Sequence, residues 1–406
     1  MRDRGIPQWA WAIFAVLWLG GGSALADVKP GATIDVPFVI NHLRVTAAVL
    51  DDGSFALAGT GFVPDAGPHG GHAQFEVQAF SGDGTALGEP FVGEPMGNDG
   101  GVGSLGNRYF VTWRQSFAEK TFATFLSRTG IMLAPVFPWP NSEAIPYEPF
   151  YRYGASPAHS FLEVTYRQAG QTQLGNPVLT PTVVARASSS RPLGHPARID
   201  GYLDDVGIDG AGHVVAAEEF CPADATSPGE CARGVQLFHP SGETAGALVV
   251  NGVPQGVGDD GSVNSQTVVS VAPDGKFLLV WVADTFSVNH QTVHGRLFDR
   301  HGVALREAFR PFHPEGVGFG DFFASGLSDG RFLLSWVASK GTGIDSIYVY
   351  EVSDGRLSRP LIVRGIFDVG FFVAVNTVGQ GIVTWTANDQ KTGDLSGRVS
   401  LFDIGK

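Results

Sequence analysis

The chain has 406 residues, with 27 Lys and Arg against 40 Asp and Glu, a formal net charge of −13 and only two cysteines. A surface this acidic repels nucleic acid and anionic membranes, and no basic run argues otherwise, so neither is expected as a partner. Low charge content, 55 glycines and 25 prolines among short Val, Phe and Leu runs exclude a helical bundle and point to an all-β protein.

The N-terminus reads as a secretory signal over residues 1–26. Arg2 and Arg4 give it a positive start, Trp9 to Leu19 is an apolar run too short to span a bilayer, and Ala24-Leu25-Ala26 is a small-residue cleavage site. The mature protein is expected to start at Asp27, to be periplasmic or extracellular, and to form one domain over 27–406. No span follows once the signal is removed.

A unit of roughly fifty residues then recurs. Aligning the copies places the start of a second strand at Phe55, Tyr109, Phe161, Val214, Phe277, Phe332 and Gly381. Before the first copy, Ile34 to Asn41 resembles the strands that close other copies, such as Ala247 to Asn251. In the first copy, His69-Gly70-Gly71-His72 sits in a long loop; two imidazoles could join a metal, yet no third ligand is near, and a polar loop is the simpler reading. The second copy opens on Gly101 to Gly106, which spells Gly-x-Gly-x-x-Gly without the following helix a pyrophosphate needs. The run from Phe137 to Tyr153, with Trp139, Tyr147 and Tyr151, is the most aromatic loop and the best place for ligand stacking.

In the fourth copy, Glu218 and Glu219 stand where other copies carry Trp; neighbours on a strand face opposite ways, so they cannot act as a pair. Cys221 and Cys231 follow in one loop of this exported chain and are expected to form a disulfide. The fifth copy is the clearest. Its strands are predicted near Gln266 to Ala272, Phe277 to Val282, Thr292 to Phe298 and Ala304 to Phe309, with a tight turn at Asp274-Gly275. His290 and His294 are read as structural. In the sixth, Gly326-Leu327-Ser328-Asp329-Gly330 imitates a nucleophile elbow but aligns with that turn. The seventh stops at Asp403 without a closing strand, which the N-terminal segment could supply.

Four antiparallel strands per unit, repeated with one unit split between the termini, predict a β-propeller of seven blades, six or eight being the alternatives. Trp113, Trp281, Trp336 and Trp385 end second strands and are assigned to packing between blades. In the pieces Asp274-Gly275-Lys276-Phe277-Leu278-Leu279-Val280-Trp281 and Gly295-Arg296-Leu297-Phe298-Asp299-Arg300-His301-Gly302, the chain resembles the propeller-like repeats of bacterial exported proteins. That resemblance implies an architecture and no residue-level function.

Functional expectations rest on loops. Connections after second and fourth strands vary in length, whereas those after first and third strands are short and alike, so one face carries the variation. Asp99, Asp205, Asp260, Asp321 and Asp368 fall where a fourth strand leads into a first. Together they would ring one mouth of a channel with oxygen ligands of the kind Ca²⁺ takes. The expected function is binding of a glycan or a protein on this face, with no catalytic residue assigned. The alternative is a polysaccharide hydrolase or lyase working from Asp205, Glu218 and Asp321.

Overall fold

The structure is a computed structural model that describes residues 28–36, 38, 42–63, 72–93, 97–115, 121–138, 160–171, 177–187, 192–199, 202–220, 232–246, 249–250, 263–284, 292–309, 318–340, 343–367, 372–388 and 395–405. It is all-β. The first strand, β1 (Val28–Asp35), is followed by four antiparallel strands: β2 (His42–Val49), β3 (Phe55–Val63), β4 (His72–Phe80) and β5 (Phe91–Gly93). The second sheet holds β6 (Gly97–Leu105), β7 (Arg108–Gln115), β8 (Thr121–Ser127) and β9 (Phe137–Pro138). The third comprises β10 (Ser160–Gln171), β11 (Pro177–Ala187) and β12 (Ala197–Arg198), and the fourth β13 (Tyr202–Ile208), β14 (Val214–Phe220), β15 (Ala232–Phe238) and β16 (Val249–Val250). The fifth is β17 (Val263–Val271), β18 (Phe277–Asp284) and β19 (Thr292–Phe298).

Two further sets follow. The sixth contains β20 (Gly318–Gly326), β21 (Phe332–Lys340), β22 (Gly343–Ser353), β23 (Arg356–Leu357) and β24 (Leu361–Phe367). The last contains β25 (Phe372–Val375), β26 (Gln380–Asn388), β27 (Leu395–Ile404) and, along the outer side of β27, β1. One pairing, Phe367 opposite Ala387, joins these two sets into a single sheet.

The seven sequence-aligned positions each fall within one residue of a strand start: β3, β7, β10, β14, β18, β21 and β26. Where their side chains are described, these strands are buried on both faces because a neighbouring sheet lies against each side. Phe277, Leu278, Leu279, Val280 and Trp281 are all buried. Phe277, Leu279 and Trp281 pack with Val215, Ala217 and Val235 of the fourth sheet, while Leu278 and Val280 pack with Phe332, Leu334 and Trp336 of the sixth. Equivalent clusters join the first sheet to the second, the third to the fourth, the sixth set to the last, and the last set to the first. Deep burial of aromatic and branched side chains at every one of these seams is the main stabilising term.

One end of the sheets is built from a single turn design. In Leu50–Ser54, Asp209–His213, Ala272–Lys276, Leu327–Arg331 and Asn376–Gln380, the first N–H donates to the fifth carbonyl, and the fourth residue's N–H donates to the first carbonyl. The fourth residue is Gly every time, with φ between 81° and 95°, a region that other side chains avoid. The same pattern closes third strands at Ser81–Thr85, Ser127–Ile131, His239–Glu243 and Asp299–Val303. An Asp carboxylate tightens many of them; Asp52 Oδ1, for instance, accepts from Ser54 N at 3.0 Å. Gly326 therefore ends β20 and Leu327 to Gly330 belong to a turn, with Gly330 at φ 81°, and Gly101 to Leu105 lie in β6.

Two sequence expectations are corrected. The terminal segment was expected to pair over Ile34 to Asn41, but it does so over Val28 to Asp35, extended by Val36 N to Gly397 O at 2.9 Å. β1 is an outer strand that is exposed from Lys29 to Thr33, so it carries no apolar signature, and its register is set by its ten-residue partner β27. The fourth strand expected over Ala304 to Phe309 is reduced to two bridges, Phe298 to Ala304 and Gly295 to Phe309. The outer strands of the first four sheets are also only two or three residues long, which limits exposed edge.

Candidate functional site at the loop end of the sheets

Opposite the turn end, first strands share a second device. β2, β6, β13, β17 and β20 each carry a bulge, between Leu43 and Thr46, Gly97 and Asp99, Leu203 and Asp205, Asn264 and Gln266, and Phe319 and Phe322. An extra residue there bends the strand and re-aims its side chains. Asp99, Asp204, Asp205 and Asp321 all lie within or beside a bulge of their first strands.

Asp205 is the expected site residue whose side chain is described, and it is committed elsewhere. It is buried; its Oδ1 accepts from Val206 N and its Oδ2 from Val269 N, both at 2.9 Å. Val269 belongs to the fifth sheet, so the carboxylate ties two sheets together. Thr46 does the same between the first and second sheets, its Oγ1 accepting from Val102 N at 3.2 Å. The positions correspond: Thr46 faces Ala58 and Asp205 faces Ala217, while Val102 faces Val111 and Val269 faces Leu279. A buried amide left by the ladder on one side thus receives an oxygen from the neighbouring sheet. Sequence reasoning missed this pair of struts, because no pattern along one strand marks a bond between sheets.

Glu218 is fully buried in the column that holds Trp113, Trp281, Trp336 and Trp385 in other sheets, with Leu203 and Gly234 across from it. The tryptophans are interior, as expected. Trp336 stacks on Tyr350 with centroids 4.5 Å apart, and Trp113 lies beside Phe75 and Phe91 of the preceding sheet. His294 stacks on Trp281 at 5.5 Å, in keeping with a structural role.

Asp99 and Asp321 are placed by their backbones only, Asp99 opposite Arg114 and Asp321 inside the β20 bulge; their side chains lie outside the description. Asp260, Asp368, Trp139, Tyr147 and Tyr151 lie outside the described residues, as do His69 and the expected disulfide partners Cys221 and Cys231. Among the described residues no group of three His, Cys, Asp or Glu side chains could hold a metal ion.

The turn end has its own sheet-to-sheet bonds. Gly210 N donates to Pro273 O at 3.3 Å, Ser328 N to Thr377 O at 2.9 Å, and Thr377 N to Asp51 Oδ1 at 3.2 Å. All five residues hold the second position of the shared turn. Pro273, having no N–H, cannot pass the pattern on to the sixth set. At the same end Arg331 bridges Asp329 at 2.7 Å and Glu351 at 3.3 Å, and donates to Gly405 O at 2.7 Å. Burial disfavours its charge, but these two carboxylates outweigh that and raise its pKa.

The chain matches no known protein-family profile and no functionally curated protein sequence. Solved structures do resemble it. The β-propeller domain of the trilobed protease from Pyrococcus furiosus superposes with a TM-score of 0.51 at 6 % identity, over 90 % of this chain and 96 % of that one. An acylaminoacyl peptidase gives 0.50 at 8 % identity over 91 % of this chain, which spans 53 % of that chain. An α-L-arabinanase from Penicillium chrysogenum gives 0.39 at 10 % identity, covering 94 % and 97 % of the two chains, too loose a likeness to argue from. The Pyrococcus furiosus propeller is described as having an open velcro topology, whereas here β1 pairs with β27. At such identities likeness carries fold and nothing of activity: the chain is an all-β protein with a β-propeller fold.

Proposed function

We propose that the protein is exported, that its sheets form a ring of seven blades whose last blade is completed by β1, and that the loop end binds a glycan or protein partner. One observation carries the reading. The turn end is closed by repeated glycine turns and sheet-to-sheet hydrogen bonds, while the unlike connections through 64–71, 221–231 and 251–262 join strand ends at the other end. Rigid scaffolds with variable loops gathered on one side are the usual platform for recognition. Asp205 gives no support to a hydrolase, since both its oxygens already accept backbone N–H groups.

The test is binding of the secreted protein to a glycan array and to surface proteins of its own cell. It would be run beside a variant with 251–262 replaced by a Gly-Ser linker and another with Arg128→Ala at the turn end. Loss of binding in the linker variant alone supports the reading. Equal loss in both, or binding in neither the parent nor the variants, sinks it. N-terminal sequencing of the exported protein should begin at Asp27.

A further inference from the structure

Six Asp-Gly pairs have described side chains: Asp52-Gly53, Asp83-Gly84, Asp209-Gly210, Asp274-Gly275, Asp329-Gly330 and Asp354-Gly355. Five share a protected design. Their carboxylates are held by backbone N–H groups two residues on: Asp52 by Ser54, Asp83 by Thr85, Asp209 by Ala211, Asp274 by Lys276 and Asp329 by Arg331. Their glycine amides are held as well. Gly53, Gly84, Gly275 and Gly330 donate to the first carbonyl of their turns, and Gly210 donates to Pro273 O.

The sixth pair differs in every respect. It forms a two-residue turn between β22 and β23, with Ser353 opposite Arg356, φ of 48° at Asp354 and 69° at Gly355. In such a turn the glycine N–H points away from the strand ladder. Among the described residues no hydrogen bond reaches the Asp354 carboxylate or the Gly355 N–H. Asp354 is exposed, and the following strand is only two residues long, so the turn opens by giving up little pairing.

We infer that Asp354-Gly355 is the spontaneous modification site among these pairs, converting to isoaspartate through a cyclic imide. The Gly355 nitrogen attacks Cγ of Asp354; its proton and the carboxyl hydroxyl leave as one water, and an N–Cγ bond closes a five-membered succinimide. Water then adds to either imide carbonyl. Opening at Cγ restores Asp354, while opening at the main-chain carbonyl carbon leaves the backbone running through Cγ. Water is the sole co-reactant. In the other five pairs the nitrogen and the carboxyl are each tied to a partner, which keeps them from meeting.

The experiment is storage of the folded full chain at mildly acidic pH, followed by peptide mapping with an isoaspartyl methyltransferase label. A parallel sample is stored in urea. In the folded protein, isoaspartate at position 354 should exceed that at each of the other five positions by about tenfold, equivalent to about 1.4 kcal/mol. In urea the six should react alike. Asp354→Asn, which tolerates positive φ, should yield the same isoaspartate faster through loss of ammonia. The inference is overturned if any of the five matches position 354 in the folded chain, or if the excess at 354 persists unchanged in urea.

Discussion

Replacing Asp205 by Ala separates the two roles open to this carboxylate, a strut between sheets and a cation ligand. As a strut, its loss leaves the Val269 N–H buried with no acceptor at 2.9 Å and removes the bond to Val206 N. An orphaned buried donor costs about 1–3 kcal/mol, and a bond to a charged acceptor contributes about 1.5–3 kcal/mol. Together they set an expected loss of about 2.5–6 kcal/mol. For a chain of this size that lowers the melting midpoint by about 5 °C. The assay is thermal unfolding of the protein from Asp27 onward, parent and variant, each in EDTA and in millimolar Ca²⁺. A strut predicts the same loss in both media. Asp205→Asn, which keeps an acceptor oxygen, should recover part of it. The reasoning fails if the variant melts like the parent in EDTA but loses a calcium-dependent rise that the parent shows, because the carboxylate would then act on an ion that binds the folded state.

Thr46→Val should lower stability by about 1 kcal/mol through the amide of Val102, and Thr46→Ser should not; urea midpoints distinguish them. Trp336→Ala empties a site packed by Tyr350 and Tyr348 and should cost about 3–5 kcal/mol, read by the same titration. Deleting residues 28–36 exposes the edge of β27 and uncovers the seam around Val399; the shortened chain should aggregate or lose its cooperative melt, and full retention of the parent melt would refute closure by β1. Burial opposes ionisation of Asp52, but hydrogen bonds from Ser54 and Arg128 prevail and hold its pKa below 3.8. A depressed pKa contributes stability above the unfolded value that disappears as pH falls through the folded one. The advantage of the parent over Asp52→Ala should therefore be full near neutrality and shrink below about pH 4, as seen in acid-unfolding curves.

The repeat was legible because the second strands with described side chains are buried on both sides and follow a glycine turn, so Asp274-Gly275 and the run to Trp281 announce themselves wherever they recur. The short outer strands were not. Val303 and Leu305 are apolar yet exposed, so a hydrophobic reading extended the fifth sheet beyond its two bridges. β1 failed the same test from the other side: being mostly exposed, it offers no alternation to read. The role of Asp205 was not legible either. Asp205 looks like a rim carboxylate in sequence, and only the approach of Val269 shows otherwise.

By itself, then, the sequence determined the strand class, the period, the glycine turns and the interior tryptophans, since these follow from local backbone preference and burial along one strand. The tertiary structure decided which strand β1 meets, which Asp becomes a strut between sheets, and which Asp-Gly pair is left untied. Each of these depends on a partner far away in the chain, and no local pattern encodes a distance between sheets.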